Sequence, residues 1–192
     1  MMKIGKYLVK ILDIFGRVGV NHHSSFGMKA WKFLVISNEK LKEELRPACG
    51  NQVQITSCAH LVVVLAGIES LKVESCLPKK RFLRRKMSQE NLDFYLELYA
   101  NHLKETLSSD DNIYHWSARQ TYIASTNMMS AAATIGVDSC PIEGFDKDQL
   151  EEILKLDRSK YRVSMLLPFG YREKEQPDQV RLSFDEVVEF IE

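Results

Sequence analysis

The stretch from Tyr114 to Ile135 reads as one long helix with almost no charge. Ala118, Ala124, Ser125, Ser130, Ala131, Ala132 and Ala133 keep its surface small, and after His115 its only charged side chain is Arg119. At 1.5 Å per residue it spans about 30 Å. A helix that is apolar nearly all round has no side to turn to water and must be buried nearly all round. Such an element belongs at the centre of a domain or in an interface between subunits. Gly136 follows where a left-handed C-terminal cap is expected.

The remainder of the 192 residues must cover that helix. Leu61-Val62-Val63-Val64-Leu65 is uncharged and β-branched, which predicts a central strand. Phe33–Ile36, Val137–Ile142 and Val163–Leu167 read as further strands. Helices are expected over Glu39–Arg46, Ser88–Leu107, Lys147–Lys155 and Phe184–Ile191, with Asn38 capping the first and Asp146 with Gln149 forming a capping-box-like pair at the third. No linker divides the chain and no repeat is visible. Residues 1–192 therefore read as a single domain with a helical excursion around 68–112.

Several function classes are excluded or disfavoured. Lys and Arg total 26, Asp and Glu total 26, so the net charge of +0 argues against a globally basic nucleic-acid binder. No stretch reaches the ~18 continuous apolar residues of a membrane span. In the N-terminal segment, Ile4, Tyr7, Leu8, Ile11, Leu12 and Phe15 recur at helical spacing, while Lys10 and Asp13 interrupt them. This predicts an amphipathic helix over residues 3–16 rather than a secretory signal. Cys49, Cys58, Cys76 and Cys140 are widely spaced, with no C-x-x-C pair, as expected for reduced thiols in a cytoplasmic protein. The phosphate-loop, dinucleotide-fold, nucleophile-elbow and zinc-protease signatures are all missing. His22-His23 reads as a solvated loop and no metal site is expected. The basic run Lys79, Lys80, Arg81, Arg84, Arg85 and Lys86 reads as a solvated surface segment.

Three segments stand out as a set. They are Ser24-Ser25-Phe26-Gly27-Met28-Lys29-Ala30-Trp31-Lys32-Phe33, Cys140-Pro141-Ile142-Glu143-Gly144-Phe145-Asp146 and Leu167-Pro168-Phe169-Gly170-Tyr171-Arg172. Between them stand Ala59–Leu65 and the Trp116-x-Ala118-Arg119-Gln120 start of the long helix. In this order and spacing they resemble the FMN-dependent nitroreductase family, from about Leu8 to the C-terminus.

The resemblance implies an α+β, nitroreductase-like fold, with a central, mostly antiparallel sheet flanked by helices. It implies a homodimer that exchanges terminal segments and holds one FMN in each of two clefts between subunits. By the same resemblance, Ser24, Ser25, Gly27 and Lys29 form the loop that reaches the flavin from one subunit. Asn51 and Gln54 match positions near the ring or ribityl edge. Pro141, Ile142, Glu143 and Gly144 form the turn against the ring, with backbone N–H groups suited to the atom N5. Gln179 and Arg181 match the phosphate contacts, with Lys29 or Arg172 as candidate helpers. Tyr99 either lines the acceptor site or packs a helix core.

The implied activity is two-electron and ping-pong. NADH or NADPH is the donor and a nitroaromatic, quinone or similar molecule the acceptor, with no side-chain acid or base required. The family's N-terminal Arg-x-Ser-x-Arg/Lys phosphate grip does not occur in these 192 residues. Charge-assisted bonds contribute ~1.5–3 kcal/mol each, so weakened FMN binding is expected. The alternative is a flavin-poor, non-enzymatic dimeric member or a shortened product.

Overall fold

Strand β2, His60–Gly67, is buried along its whole length. It pairs antiparallel with β1, Trp31–Ile36, on one side and with β4, Tyr161–Gly170, on the other. The short β3, Asp138–Ser139, completes the order β1-β2-β4-β3. The computed structural model describes residues 23–176 and 178–191; the helix expected over residues 3–16 lies outside them. Among the described residues there are seven α-helices: α1 (Glu39–Leu45), α2 (Gln54–Ser57), α3 (Leu77–Leu83), α4 (Gln89–Thr106), α5 (Asp110–Thr134), α6 (Lys147–Ile153) and α7 (Phe184–Val187). No helix among the described residues is long and apolar enough to cross a membrane.

The period-2 alternation of β2 sorts its side chains onto two faces. Leu61, Val63 and Leu65 meet Leu45, Ile55 and Leu150 from α1, α2 and α6. Val62 and Val64 meet Met128 and Ala132 of α5. A β-bulge lets both Ser164 and Met165 of β4 turn toward α5: Val64 pairs with Met165 and Leu65 with Val163, leaving Ser164 as the extra residue. Its hydroxyl lies 2.7 Å from that of Thr121 on α5, which satisfies two buried polar groups. A third cluster joins α3, α4 and the first turns of α5 around Phe82, Tyr99 and Trp116.

The end of α5 follows the predicted cap. Gly136 is left-handed at φ +74°, its N–H donates to Ala133 O and the next N–H, of Val137, donates to Ala132 O. These are the paired bonds of a Schellman motif. At α6, Asp146 accepts the Gln149 N–H at 3.0 Å, but the Gln149 side chain bonds the Asp146 carboxylate rather than its backbone.

Two expectations are corrected. Only residues 138–139 of the expected strand Val137–Ile142 form a ladder, because Pro141 has no N–H to give; pairing resumes as one bridge at Ile142–Leu166. The helix expected over Phe184–Ile191 stops at Val187. Phe184, Phe190 and Ile191 remain exposed, so among the described residues that amphipathic strip has nothing to bury against. The described residues leave α5, expected at a domain centre or in a subunit interface, open on one side at Tyr122, Ile123, Thr126 and Ala133.

Burial also hides a charge. Glu151 on α6 is fully buried, accepts the Val163 N–H at 2.9 Å, and faces Arg158 at 3.2 Å and Arg162 at 3.7 Å. It ties α6 to the start of β4. Removing one partner of such a pair leaves uncompensated charge. Glu151→Ala is expected to lower the unfolding free energy by about 3–5 kcal/mol, read as a lower urea midpoint, with Glu151→Gln falling between it and the parent.

Candidate functional site

The turn Pro141–Gly144 follows the edge strand and is held from both sides. Ile142 spends its whole backbone on β4, donating to Leu166 O at 2.9 Å and accepting from Leu166 N–H at 3.0 Å. The Gln52 side-chain amide donates to Gly144 O and to Cys49 O, each at 3.0 Å. Asp146 N–H donates to Ala48 O at 2.7 Å. The segment 48–54 and the turn 141–144 are thus fastened side by side.

Between these anchors, the N–H groups of Glu143 and Gly144 donate to nothing among the described residues. Both residues are exposed. A Cβ placed on Gly144 would meet nothing nearer than the Gln52 amide nitrogen at 3.7 Å. Two adjacent backbone donors are thus left unused at an exposed turn.

Two clefts flank this turn. One, about 620 Å³, is lined by Tyr114, His115, Arg119 and Tyr122 of α5 together with Glu143, Phe145 and Lys147. In it Tyr122 lies beside the Glu143 carboxylate. Burial first, and then the neighbouring carboxylate, push the Tyr122 phenol up to about 12. The other cleft, about 560 Å³, runs past Gln54, Cys140, Pro168 and Arg172.

Asn51 is left-handed at φ +57°; its N–H donates to Arg46 O and its own carbonyl accepts from Arg46 Nε, both at 3.1 Å. Its carboxamide, like that of Gln54, has no partner among the described residues and is exposed.

The loop Ser24–Lys29 lies elsewhere in the chain and lines neither cleft. Ser25 N–H donates to the Gln120 side chain at 2.8 Å, and Lys29 N–H to Ser24 Oγ at 2.9 Å. Phe26 plugs into the helical excursion, 5.2 Å from the Tyr99 ring and 5.4 Å from the His102 ring. Gly27 is left-handed at φ +66°, and a Cβ there would lie 2.5 Å from Arg85 Nη2. That Arg85 nitrogen donates to Phe26 O at 2.6 Å.

Of the two readings of Tyr99, the packing one describes its place within the chain. The residue is 1% exposed, its hydroxyl donates to Leu71 O at 2.6 Å, and it packs the core of the excursion. Gln179 and Arg181 are exposed and bond each other at 2.5 Å, with Arg181 also donating to Val180 O. Arg172 is engaged by Asp138, whose carboxyl its guanidinium holds below the usual range.

Sequence reasoning missed Gln52, Tyr122 and Arg85. Gln52 sits inside the marked Asn51–Gln54 segment, and Arg85 inside the basic run taken as solvated. Only the fold shows what each touches.

The Nitroreductase family profile matches residues 19–171. A Staphylococcus haemolyticus protein named "Putative NAD(P)H nitroreductase" is 36% identical over 176 residues, covering 88% of this chain and 80% of its own length. A Bacillus subtilis protein of the same name matches over 179 residues with the same identity and coverage. Among solved structures, a nitroreductase-like protein from Streptococcus mutans superposes with a TM-score of 0.83 at 18% identity, over 97% of this chain and 88% of that one. An Exiguobacterium sibiricum structure, described as a "putative nitroreductase in complex with FMN", gives a TM-score of 0.77 at 23% identity, over 99% and 88%.

The Tyr122–Glu143 pair can be read directly. Because its folded pKa is raised, Tyr122 contributes stability that is complete below the ordinary tyrosine pKa of about 10. That contribution is lost as pH rises through about 12. Glu143→Gln is expected to bring the Tyr122 ionisation down, seen as an earlier tyrosinate absorbance step that Tyr122→Phe removes. An identical titration in Glu143→Gln and parent would refute the pairing.

Proposed function

The chain belongs to the nitroreductase family, and from that premise we propose that it is an FMN-dependent oxidoreductase. Its donor is NADH or NADPH, and its acceptor a nitroaromatic, quinone or similar molecule that uses the same cleft in turn. The pair of unused backbone donors at Glu143 and Gly144 is the observation that carries this reading. When bound, FMN supplies a ring that takes a hydride equivalent from the donor and releases the electron pair to the acceptor.

This chain's residues hold and orient that ring. The N–H groups of Glu143 and Gly144 are fixed donors that do not titrate, so the contact keeps its strength across pH. Pro141 and Ile142 set their direction, the one by lacking an N–H and the other by being bonded on both sides to Leu166. The free carboxamides of Asn51 and Gln54 can each donate and accept along the ring and ribityl edge. Arg181, with Gln179 beside it, offers a planar fork to phosphate oxygens. No side-chain acid or base is assigned.

The site is completed by a second subunit. Within one chain the Ser24, Ser25, Gly27 and Lys29 loop lines neither cleft beside the turn, which favours its serving the partner's flavin. The uncovered side of α5 at Tyr122 and Ile123, and the exposed Val180, Leu182, Phe184 and Ile191, favour an interface that exchanges terminal segments. The four cysteines are free, as suits a reducing cytoplasm.

A second reading, a flavin-poor dimeric scaffold, draws on one observation: Arg172 is held by Asp138 and Arg181 is turned onto its own neighbours. One preparation separates the two. Protein made with FMN supplied is expected to keep the flavin visible absorbance through gel filtration, to run at twice 22.1 kDa in light scattering, and to oxidise NAD(P)H only when an acceptor is present. A colourless dimer with no saturable FMN uptake selects the scaffold, and a monomer contradicts the two-subunit site.

A further inference from the structure

Helix α3 and its exit carry Lys79, Lys80, Arg81, Arg84, Arg85 and Lys86, six cations in eight residues of a chain whose net charge is +0. The run lies on the surface as expected, with Lys79, Lys80, Arg84, Arg85 and Lys86 exposed, but it is anchored. Pro78 and Phe82 are buried, and the Arg85 guanidinium lies over the Phe82 and Tyr95 rings at 5.3 and 5.7 Å. Through its 2.6 Å bond to Phe26 O, Arg85 holds the run against the Ser24–Lys29 loop.

Among the described residues most of these charges have no counter-ion. Lys72, Arg158, Lys160, Arg162 and Arg172 all make ion pairs, whereas among the described residues none of Lys79, Lys80, Arg81, Arg84 or Lys86 does. Arg81 Nε is buried without an acceptor. Burial, and then the charge of Arg84, pull the Arg81 guanidinium below its ordinary range. Crowded like charges without carboxylates are relieved by a bound polyanion. The exposed Arg84 and Lys86 flank Arg85, so their charge sits beside the loop.

We propose that this cluster binds the 2′-phosphate of NADPH and makes the protein prefer NADPH to NADH. The inference rests on the oxidoreductase reading, in which the Ser24–Lys29 loop borders the flavin. A nicotinamide delivered at that loop leaves the long adenosine half of the dinucleotide to reach along α3. There the 2′-phosphate, a monoester with a charge of about −1.5 to −2 at pH 7, meets cations that NADH has no group to engage. Arg84 supplies a planar fork and Lys86 a point charge.

The test uses the full chain and two small probes. Calorimetry should show 2′,5′-ADP binding at least about tenfold more tightly than 5′-AMP, as charge-assisted bonds to one added phosphate would give. That advantage should shrink as salt rises from about 0.05 to about 0.5 M. Arg84→Ala/Lys86→Ala should reduce it at least about fivefold, while Arg84→Lys/Lys86→Arg keeps most of it, with melting curves confirming that both variants fold. In flavin-loaded protein the NADPH:NADH ratio of kcat/KM should follow the same order. Equal binding of the two probes, or an advantage intact in the double alanine variant, overturns the proposal. So does a single-stranded oligonucleotide that outcompetes 2′,5′-ADP, which would assign the run to nucleic acid. Selective 2′,5′-ADP binding by a chain that never takes up FMN supports this site and overturns the oxidoreductase reading instead.

Discussion

Helix α5 lies across β2 and β4, and its small side chains allow that contact to be close. Met128 and Ala132 are buried against Val62, Val64 and Leu167, and Ala124 is buried one turn before them. The Thr121 and Ser164 hydroxyls face each other at 2.7 Å, and the Tyr114 hydroxyl donates to Val163 O at 2.8 Å. A polar pair buried at such a contact is tolerated only when each group finds its partner, so helix and sheet are fixed in rotation as well as distance. From the same helix, Gln120 and Ser117 reach Ser25 N–H and Ala30 O, which docks the loop before β1. Tyr122 meets Glu143 in the turn that ends the sheet edge. One element therefore positions both halves of the proposed site.

The candidate site sits where ordered backbone pairing stops. Pro141 interrupts the ladder, Ile142 makes one last bridge, and the next two N–H groups are left over. Unused donors of this kind are rare when buried and inexpensive at an open cleft. Gln52 keeps them from collapsing by holding Gly144 through its carbonyl rather than its N–H. The loop at Ser24–Lys29 shows the opposite strategy. Phe26, Gly27 and Lys29 are all left-handed, and the conformation is held by Arg85, Gln120 and the Phe26 plug. Strained backbone persists when the surroundings over-determine it, and here they do.

Much of this was legible beforehand. The uncharged run Leu61–Leu65 marked the central strand, Asn38 and Asp146 marked helix starts, and Gly136 marked the end of α5. Those signals are local, so sequence carries them. What it did not carry is long-range. The bulge at Ser164 depends on register between β2 and β4. Glu151 looks like a surface residue of an amphipathic helix until Arg158 and Arg162 arrive from the next turn and strand. Tyr99 has the chemistry of a site residue, but its hydroxyl is taken by a carbonyl 28 positions away. In the site itself, the turn at Pro141–Gly144 could be marked by its residue types, but not the clamp from Gln52 or the phenol of Tyr122. Each comes from a segment remote in sequence.

The central claim is that the backbone of Glu143 and Gly144 meets the flavin. Amide nitrogen–proton NMR of the labelled chain during FMN addition addresses it without reference to turnover. The Glu143 and Gly144 resonances should show large, saturable shifts, with smaller changes at Asn51 and Gln54. Saturable FMN binding that leaves the Glu143 and Gly144 amides unmoved, while resonances elsewhere shift, would contradict the account.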